Sequence, residues 1–454
     1  MAILRGRYGA ADSLPKVSGA DRRRALLDRL PARARAQADN RGRFLDWVGA
    51  LALAVAAAEA AVVVLRPRDG LIAAREVQAG SFFDGREVAR ARRYGRGQLA
   101  LGALGGASET ALMVWLLRRG RVRGDGSLPG AAADGAALSL ALVLVPLPFG
   151  ALMRERALRA GLATQSWRGW ALDVARSGAL GSAFAAAGAV IAAELMRHRG
   201  EHWWKPGAAG AVAVAVAVTV AGPVLLDPIF NDFEPLEDGD LRREFLALAR
   251  AAGVQVREVF SVDASRRTSA ANAYVNGLGA SRRIVIYDTL LEAFTAEQAR
   301  SVVAHELAHV RYRDVPRQLV FLGLVAPAAM RAIARLGAAL DGSPTPGLPA
   351  LALAGGVVST PIGIVSRQLS RAIERRADAF ALALTDEADA FIAFEQRLTR
   401  QNLADPDPPR WLSALFGTHP PIVERIGIAE AYRAGERPTR RRRRRWDPRT
   451  PAGS

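Results

Sequence analysis

The sequence predicts a mainly α-helical, polytopic membrane protein in which about seven transmembrane helices enclose a chamber and carry a small α+β domain. Three observations support this. Apolar runs of about 20 residues, the length a helix needs to cross a bilayer, recur along the chain. Arg-rich stretches separate them, as at membrane flanks. Late in the chain two longer polar segments, 227–317 and 367–435, interrupt the series and are long enough to fold outside lipid.

Residues 1–43 are polar and basic and have no apolar core of a signal peptide, so no cleavable signal is expected. The first span is expected at Phe44–Leu65, with others at about 98–117, 131–153, 177–196 and 207–226, which together make a five-span region over 44–226. Residues 211–218 repeat Ala-Val four times, with the period of a strand. The parent stretch between Pro206 and Asp227 is nevertheless long enough for a spanning helix. Two further spans, at about 318–340 and 347–366, are joined by Asp341-Gly342-Ser343-Pro344-Thr345-Pro346-Gly347, a run of turn formers that predicts an antiparallel hairpin over 318–366. Polar segments on either side of a hairpin emerge on one face of the membrane, so a single site can draw on both.

With 454 residues, half of them apolar but only 6% aromatic, the chain is rich in Ala, Val and Leu. It contains no Cys, which excludes disulfides and thiolate metal sites. Its net charge of +18 is almost entirely Arg, since Lys16 and Lys205 are the only lysines. This Arg bias, with abundant Ala and Gly, suggests a GC-rich bacterial genome. Loops 66–97 and 154–176 carry more Arg than 118–130, 197–206 and 341–346. The positive-inside rule therefore turns the polar segments and the C-terminus toward the cytoplasm, although the basic residues 1–43 argue the other way. Residues 436–454, with Arg440–Arg445, are expected to form a disordered tail touching anionic lipid. No zinc-finger spacing or RNA-binding fingerprint accompanies them, so no specific nucleic-acid partner is expected.

The chemistry concentrates at His305-Glu306-Leu307-Ala308-His309. On a helix His305 and His309 are i and i+4, so both imidazoles leave one face and can share a single Zn²⁺. Glu306 stands beside them, placed to take a proton from an attacking water. Thr295 and Gln298 form a capping-box pattern at the start of this helix, and apolar periodicity runs through Val302, Val303 and Leu307. Two His leave a zinc under-liganded, and a catalytic site commonly adds a carboxylate. Glu374 is the best candidate, with Asp378 one turn on, able to accept the second ring N–H of a ligating His. From spacing alone, Glu374 reads equally well as a solvated charge among arginines.

Several segments together resemble the integral-membrane CAAX prenyl protease family of zinc metalloendopeptidases. The matching residues are Gly161-Leu162-Ala163-Thr164-Gln165-Ser166, Asn272-Ala273-Tyr274, and Arg283 through Leu291. They continue with His305–His309, Ser370 through Asp378, and His419-Pro420-Pro421-Ile422-Val423-Glu424-Arg425-Ile426. The resemblance covers about 160–430 closely and the earlier spans loosely. It implies a zincin-like catalytic domain and one Zn²⁺ per chain on His305, His309 and Glu374. It also implies Glu306 as general base, Asp378 supporting a ligand His, His419 stabilising the oxyanion, and Asn272 positioning substrate backbone at a strand edge. A peptide or membrane-protein substrate, prenylated in the family's case, and a bacterial inner-membrane location with lipid around the spans would follow. Ala308 stands where the family usually has Gly, and Arg375 and Arg376 replace the more usual aromatic, which points to a more polar pocket.

Other readings have their own motivation. His198, Glu201 and His202 imitate a metal pair, but Gly200 interrupts them and Trp203-Trp204-Lys205 follow, so an interfacial anchor is expected. Glu59, Glu109 and Glu194 lie within or near apolar runs, where carboxylates are costly unless they face water or a partner. The alternatives are a quality-control protease for misfolded membrane proteins or, in a different class, a catalytically inactive membrane scaffold.

Overall fold

The computed structural model describes residues 32–119, 126–277 and 282–439. The basic N-terminal segment before residue 32, part of the loop at 118–130 and the Arg440–Arg445 run lie outside the described residues. Among the described residues six helices are long and apolar enough to cross a membrane, or seven if one bent pair counts as a span. They are α1 (Ala32–Leu65), α2 (Gly85–Arg119), α5 (Trp167–Arg199), α6 (Trp204–Leu225), α11 (Asp314–Asp341) and α12 (Leu348–Thr385). The bent pair is α3 (Leu128–Leu144) and α4 (Leu147–Ala160), which meet at 41°.

That bend falls within the run expected as one span at 131–153. Pro146 lacks the N–H that would continue the helix, and Pro148 fits the first turn of the next one. The Ala-Val repeat lies inside α6, as its length requires. Residues 342–347 break the chain between α11 and α12, as the turn residues predict.

α12 is one unbroken helix of 38 residues, about 57 Å at 1.5 Å per residue, where a bilayer core is about 30 Å thick. It runs straight through residue 366, where composition marks a change of segment. Its C-terminal part therefore projects beyond the apolar run and brings Glu374 to the site on a rigid extension of a span.

The membrane-external part is built from a short helix α7 (Asp227–Phe230), strands β1 (Phe233–Pro235), β2 (Glu258–Val262), β3 (Ala273–Asn276) and β4 (Arg283–Tyr287), and further helices. These are α8 (Asp240–Ala251), α9 (Asp288–Ala293), α10 (Ala296–Arg311), α13 (Ala388–Gln401), α14 (Arg410–Phe416) and α15 (Ile422–Arg433). The sheet order is β1-β2-β4-β3, with β2 and β4 parallel and both outer pairs antiparallel, so β3 is an edge strand. One core joins the sheet to α8 and α10 through Phe245, Val259, Ile284, Ile286, Val303 and Leu307. A second joins α10 to α12, α13 and α15 through Ala304, Leu382, Phe391, Ile426 and Ile428. α10 is thus held between two cores.

Candidate active site

α10 begins as its sequence prescribes. Thr295 accepts from Gln298 N–H and the Gln298 side chain returns to the Thr295 N–H, a reciprocal cap that satisfies two orphan donors. At its other end Arg313 takes a left-handed conformation (φ 55°), strained for a non-glycine residue. This sharp turn starts α11 at once and sends Asp314 back toward His309.

The structure brings His305, His309 and Glu374 together. His305 Nε2 lies 3.2 Å from His309 Nε2 and 3.1 Å from Glu374 Oε2, and His309 Nε2 is 3.6 Å from Glu374 Oε1. Four-coordinate zinc with ligands near 2.0–2.1 Å needs neighbouring ligand atoms about 3.3–3.4 Å apart. The donor set, two imidazoles and a carboxylate converging at that spacing, fits the ion. Glu374, only 7% exposed, is not the solvated charge that its arginine neighbours allowed.

Each histidine is held from behind. His305 Nδ1 lies 2.9 Å from Asp378 Oδ1, the contact expected from the i+4 spacing of Glu374 and Asp378. Asp378 is fully buried and receives Nε and Nη2 of Arg425 at 2.9 and 2.6 Å. Nη1 of the same guanidinium lies 2.7 Å from Glu395, also fully buried. His309 Nδ1 lies 3.1 Å from Asp314 Oδ2, and Asp314 is bonded by Arg317 and, at 2.5 Å, by Arg376. Because Asp314 opens α11 and Arg376 lies near the end of α12, this bond shows the hairpin ends meeting at the site. Sequence reasoning missed Asp314, Arg425 and Glu395 as site residues. Asp314 offered a weak signal, an acidic residue one turn past the motif, and Arg425 lay within a quoted motif without a role. Glu395 offered none.

The electrostatics follow from burial and pairing. Burial opposes charge on His305, but its bonds to Asp378 and Glu374 outweigh this and raise its pKa to about 10. An imidazole bound so strongly by anions is in a place built for a cation. Burial also raises the pKa of Glu306, with the imidazoles of His305 and His309 opposing, the direction that suits a general base. Burial likewise opposes charge on Arg425, yet Asp378 and Glu395 raise its pKa. Glu395 is pushed by burial up to about 7, against the pull of Arg425.

His419 reaches the site from the loop before α15, its Nε2 3.3 Å from Glu374 Oε2. Arg371 on α12 fixes that loop by donating to the carbonyls of Ser413 (3.1 Å) and Gly417 (2.7 Å). Burial of the inner edge of the ring lowers the His419 pKa, with Glu374 opposing. The side chain is still 58% exposed, which limits that effect and leaves the ring open to a ligand. Asn272 stands exposed just before β3, the edge strand beside α10. Its hydrogen bonds run to the sheet: the side chain accepts from Ala273 N–H, and its carbonyl accepts from Tyr287 N–H at 3.0 Å.

The segment 161–166 docks on this domain. Ala163 bridges Thr268, and Thr164 N–H donates to Arg267 carbonyl at 3.1 Å. Arg267 in turn meets Asp173 on α5 at 2.8 Å. Asp173 and Glu109 line a mainly apolar cleft of about 550 Å³ among α2, α3, α4 and α5, to which Gln165 and Ser177 add polar groups. Glu59 accepts from Gln368 at 3.2 Å, and Glu194 pairs with Arg197 and with His198 at 2.7 Å. Among the described residues, His305, His309 and Glu374 form the one group with metal-site spacing, which leaves His198 and His202 outside any such cluster.

With this geometry in place, similarity to known proteins decides the family. The sequence profile of Peptidase family M48 matches residues 235–433, the segment that builds the site. The "Uncharacterized metalloprotease YhfN" of Bacillus subtilis is 30% identical over 304 residues, covering 64% of this chain and 71% of that protein. The chain belongs to peptidase family M48. A "CAAX prenyl protease 1 homolog" of rice is 32% identical over 228 residues, 48% of this chain and 53% of the relative. Its counterpart in Arabidopsis thaliana is 36% identical over 214 residues, 45% and 50%. The chain therefore spans about half the length of these plant relatives. The crystal structure of Ste24p from S. mikatae has the same fold, with a TM-score of 0.67 at 18% identity, covering 85% of this chain and 97% of that one. This M48 member is an integral membrane metalloprotease of the CAAX prenyl protease-like type.

Proposed function

We propose that the protein is a zinc-dependent endopeptidase whose site is formed by His305, Glu306, His309, Glu374 and His419. The convergence of His305, His309 and Glu374 at 3.1–3.6 Å is the observation that carries this reading. A bound Zn²⁺ would supply Lewis acidity toward the attacking water and the scissile carbonyl. Glu306 takes the proton from that water and returns it to the leaving amine, a role its raised pKa suits. His419, held by the Arg371-anchored loop, donates a hydrogen bond to the oxygen on which negative charge develops. Asn272, at the exposed start of edge strand β3, positions the substrate backbone. Asp378 and Asp314 hold the two imidazoles in the orientation the metal needs.

The substrate class that the plant relatives' names support is a prenylated CAAX protein, and the family resemblance implies cleavage near its C-terminus. The membrane is a bacterial inner membrane with the site turned to the cytoplasm, a reading that rests on the Arg distribution of the short loops. A quality-control protease for misfolded membrane proteins is the second reading; Arg375 and Arg376, expected to make the pocket polar, are instead paired with Glu424 and Asp314. A cleavage assay on matched prenylated and unprenylated peptides separates the two. Preference for the prenylated peptide is expected, whereas equal cleavage of both favours quality control. Purified protein that binds no zinc would favour an inactive scaffold.

A further inference from the structure

Glu395 has no part in the chemistry above, yet burying its carboxyl is costly. It is a carboxylate with no exposed surface, on a helix whose other buried residues are the apolar Ala388, Phe391, Ile392 and Phe394 and the uncharged Thr399. Its oxygens have no well-aligned hydrogen bond, and its close contact is the charge contact of 2.7 Å with Arg425 Nη1. A leucine would fill the place without the desolvation cost, so the charge calls for an explanation.

The arrangement supplies one. The Arg425 guanidinium is fully committed: Nε and Nη2 go to Asp378, Nη1 faces Glu395, and Phe391 lies under its face at 5.7 Å. Four elements, α13, α15, α12 and α10, are thereby joined in one line of alternating charge that ends at His305 Nδ1. We propose that Glu395 is a positioning residue of the metal site, acting through Arg425 and Asp378 to set how strongly His305 donates to the ion; this rests on the reading of His305 as a metal ligand. Glu395 balances the Arg425 charge, so Asp378 keeps electron density for the imidazole N–H. Without that balance Arg425 draws on Asp378 alone, and with Arg425 also gone Asp378 is buried without a counter-charge or the two N–H bonds that fix it; either way His305 becomes a weaker ligand.

The test uses full-length protein in detergent at pH 8, above the value of about 7 to which burial pushes the Glu395 carboxyl. Three variants are compared with wild type: Glu395→Gln, the double variant Glu395→Leu with Arg425→Met, and Thr399→Val as a control on the same helix. Zinc affinity is measured by competition with a chelator, and the visible ligand-field bands are recorded after cobalt substitution. Glu395→Gln should bind zinc on the order of 10-fold more weakly and shift the cobalt bands, and the double variant should lose at least as much. Thr399→Val should lower the melting temperature without moving the bands. If Glu395→Gln fails to fold, the double variant decides. Zinc affinity within twofold of wild type and unshifted bands, in whichever variant folds, overturn the proposal. Wild-type protein that takes up neither metal overturns the ligand reading itself.

Discussion

The two histidines of the motif are one helical turn apart, yet their surroundings differ. Behind His305 stand Asp378, Arg425 and Glu395, all shut away from solvent in the packing of α12, α13 and α15. Behind His309 stand Asp314, Arg376 and Arg317, at the sharp turn between α10 and α11, and the His309 side chain is 22% exposed. Both arms use the same device, a carboxylate on the ring N–H and a guanidinium on the carboxylate. One arm is dry and has a single guanidinium holding two carboxylates. The other is partly open only at His309 and Arg317 and has two guanidinia on one buried carboxylate. The number of counter-charges separates them more than burial does, so loss of a guanidinium should cost more in the arm that has only one.

The largest contrast should come from the arginines. Arg425→Ala leaves Asp378 and Glu395 both buried without a counter-charge, and should destabilise by about 3–5 kcal/mol in chemical denaturation. Arg376→Ala leaves Asp314 with Arg317 and should cost about 1–3 kcal/mol; equal losses would break the comparison. For zinc affinity, Asp378→Asn should weaken binding roughly 100-fold and Asp314→Asn roughly 10-fold, the two ends of the range for groups that orient metal ligands. Chelator competition reads both, and the reverse order would contradict the ranking.

A smaller effect concerns pH in the metal-free protein. The His305 pKa is raised to about 10 from 6.5, so the stability it contributes is complete below about 6.5 and is lost as pH rises through about 10. Thermal melts of chelated protein should fall across that window, and the decline should vanish in Asp378→Asn. Zinc uptake at pH 7.5 should release at least one proton, visible as buffer-dependent heats in calorimetry. The smallest effect is expected at Arg375, whose pair with Glu424 on α15 is half-exposed, so Arg375→Ala should cost less than about 1 kcal/mol.

Much of this was legible in the sequence where local rules govern. The capping box, the i,i+4 pairing of His305 with His309 and of Glu374 with Asp378, and the turn at 341–347 each depend on residues within a turn or two. The Ala-Val repeat of α6 was decided by length. The bend at Pro146 was visible in the prolines but was overridden by the continuous apolar composition. The reach of α12 past residue 366 was hidden because polar residues on its far end pack in the domain instead of breaking the helix. Asp314, Arg425 and Glu395 were illegible as site residues, since their roles depend on contacts 30 or more positions away or, for Asp314, on an unusual backbone turn at Arg313.

The most direct test of the account pairs zinc content with peptide cleavage in wild type and Glu306→Gln. The account predicts about one zinc per chain in both proteins. Cleavage by the variant should fall by at least about 10²–10⁴-fold, because the ligands remain and the proton acceptor is gone. Undiminished cleavage by Glu306→Gln, or a wild-type protein that hydrolyses peptide without zinc, would contradict it.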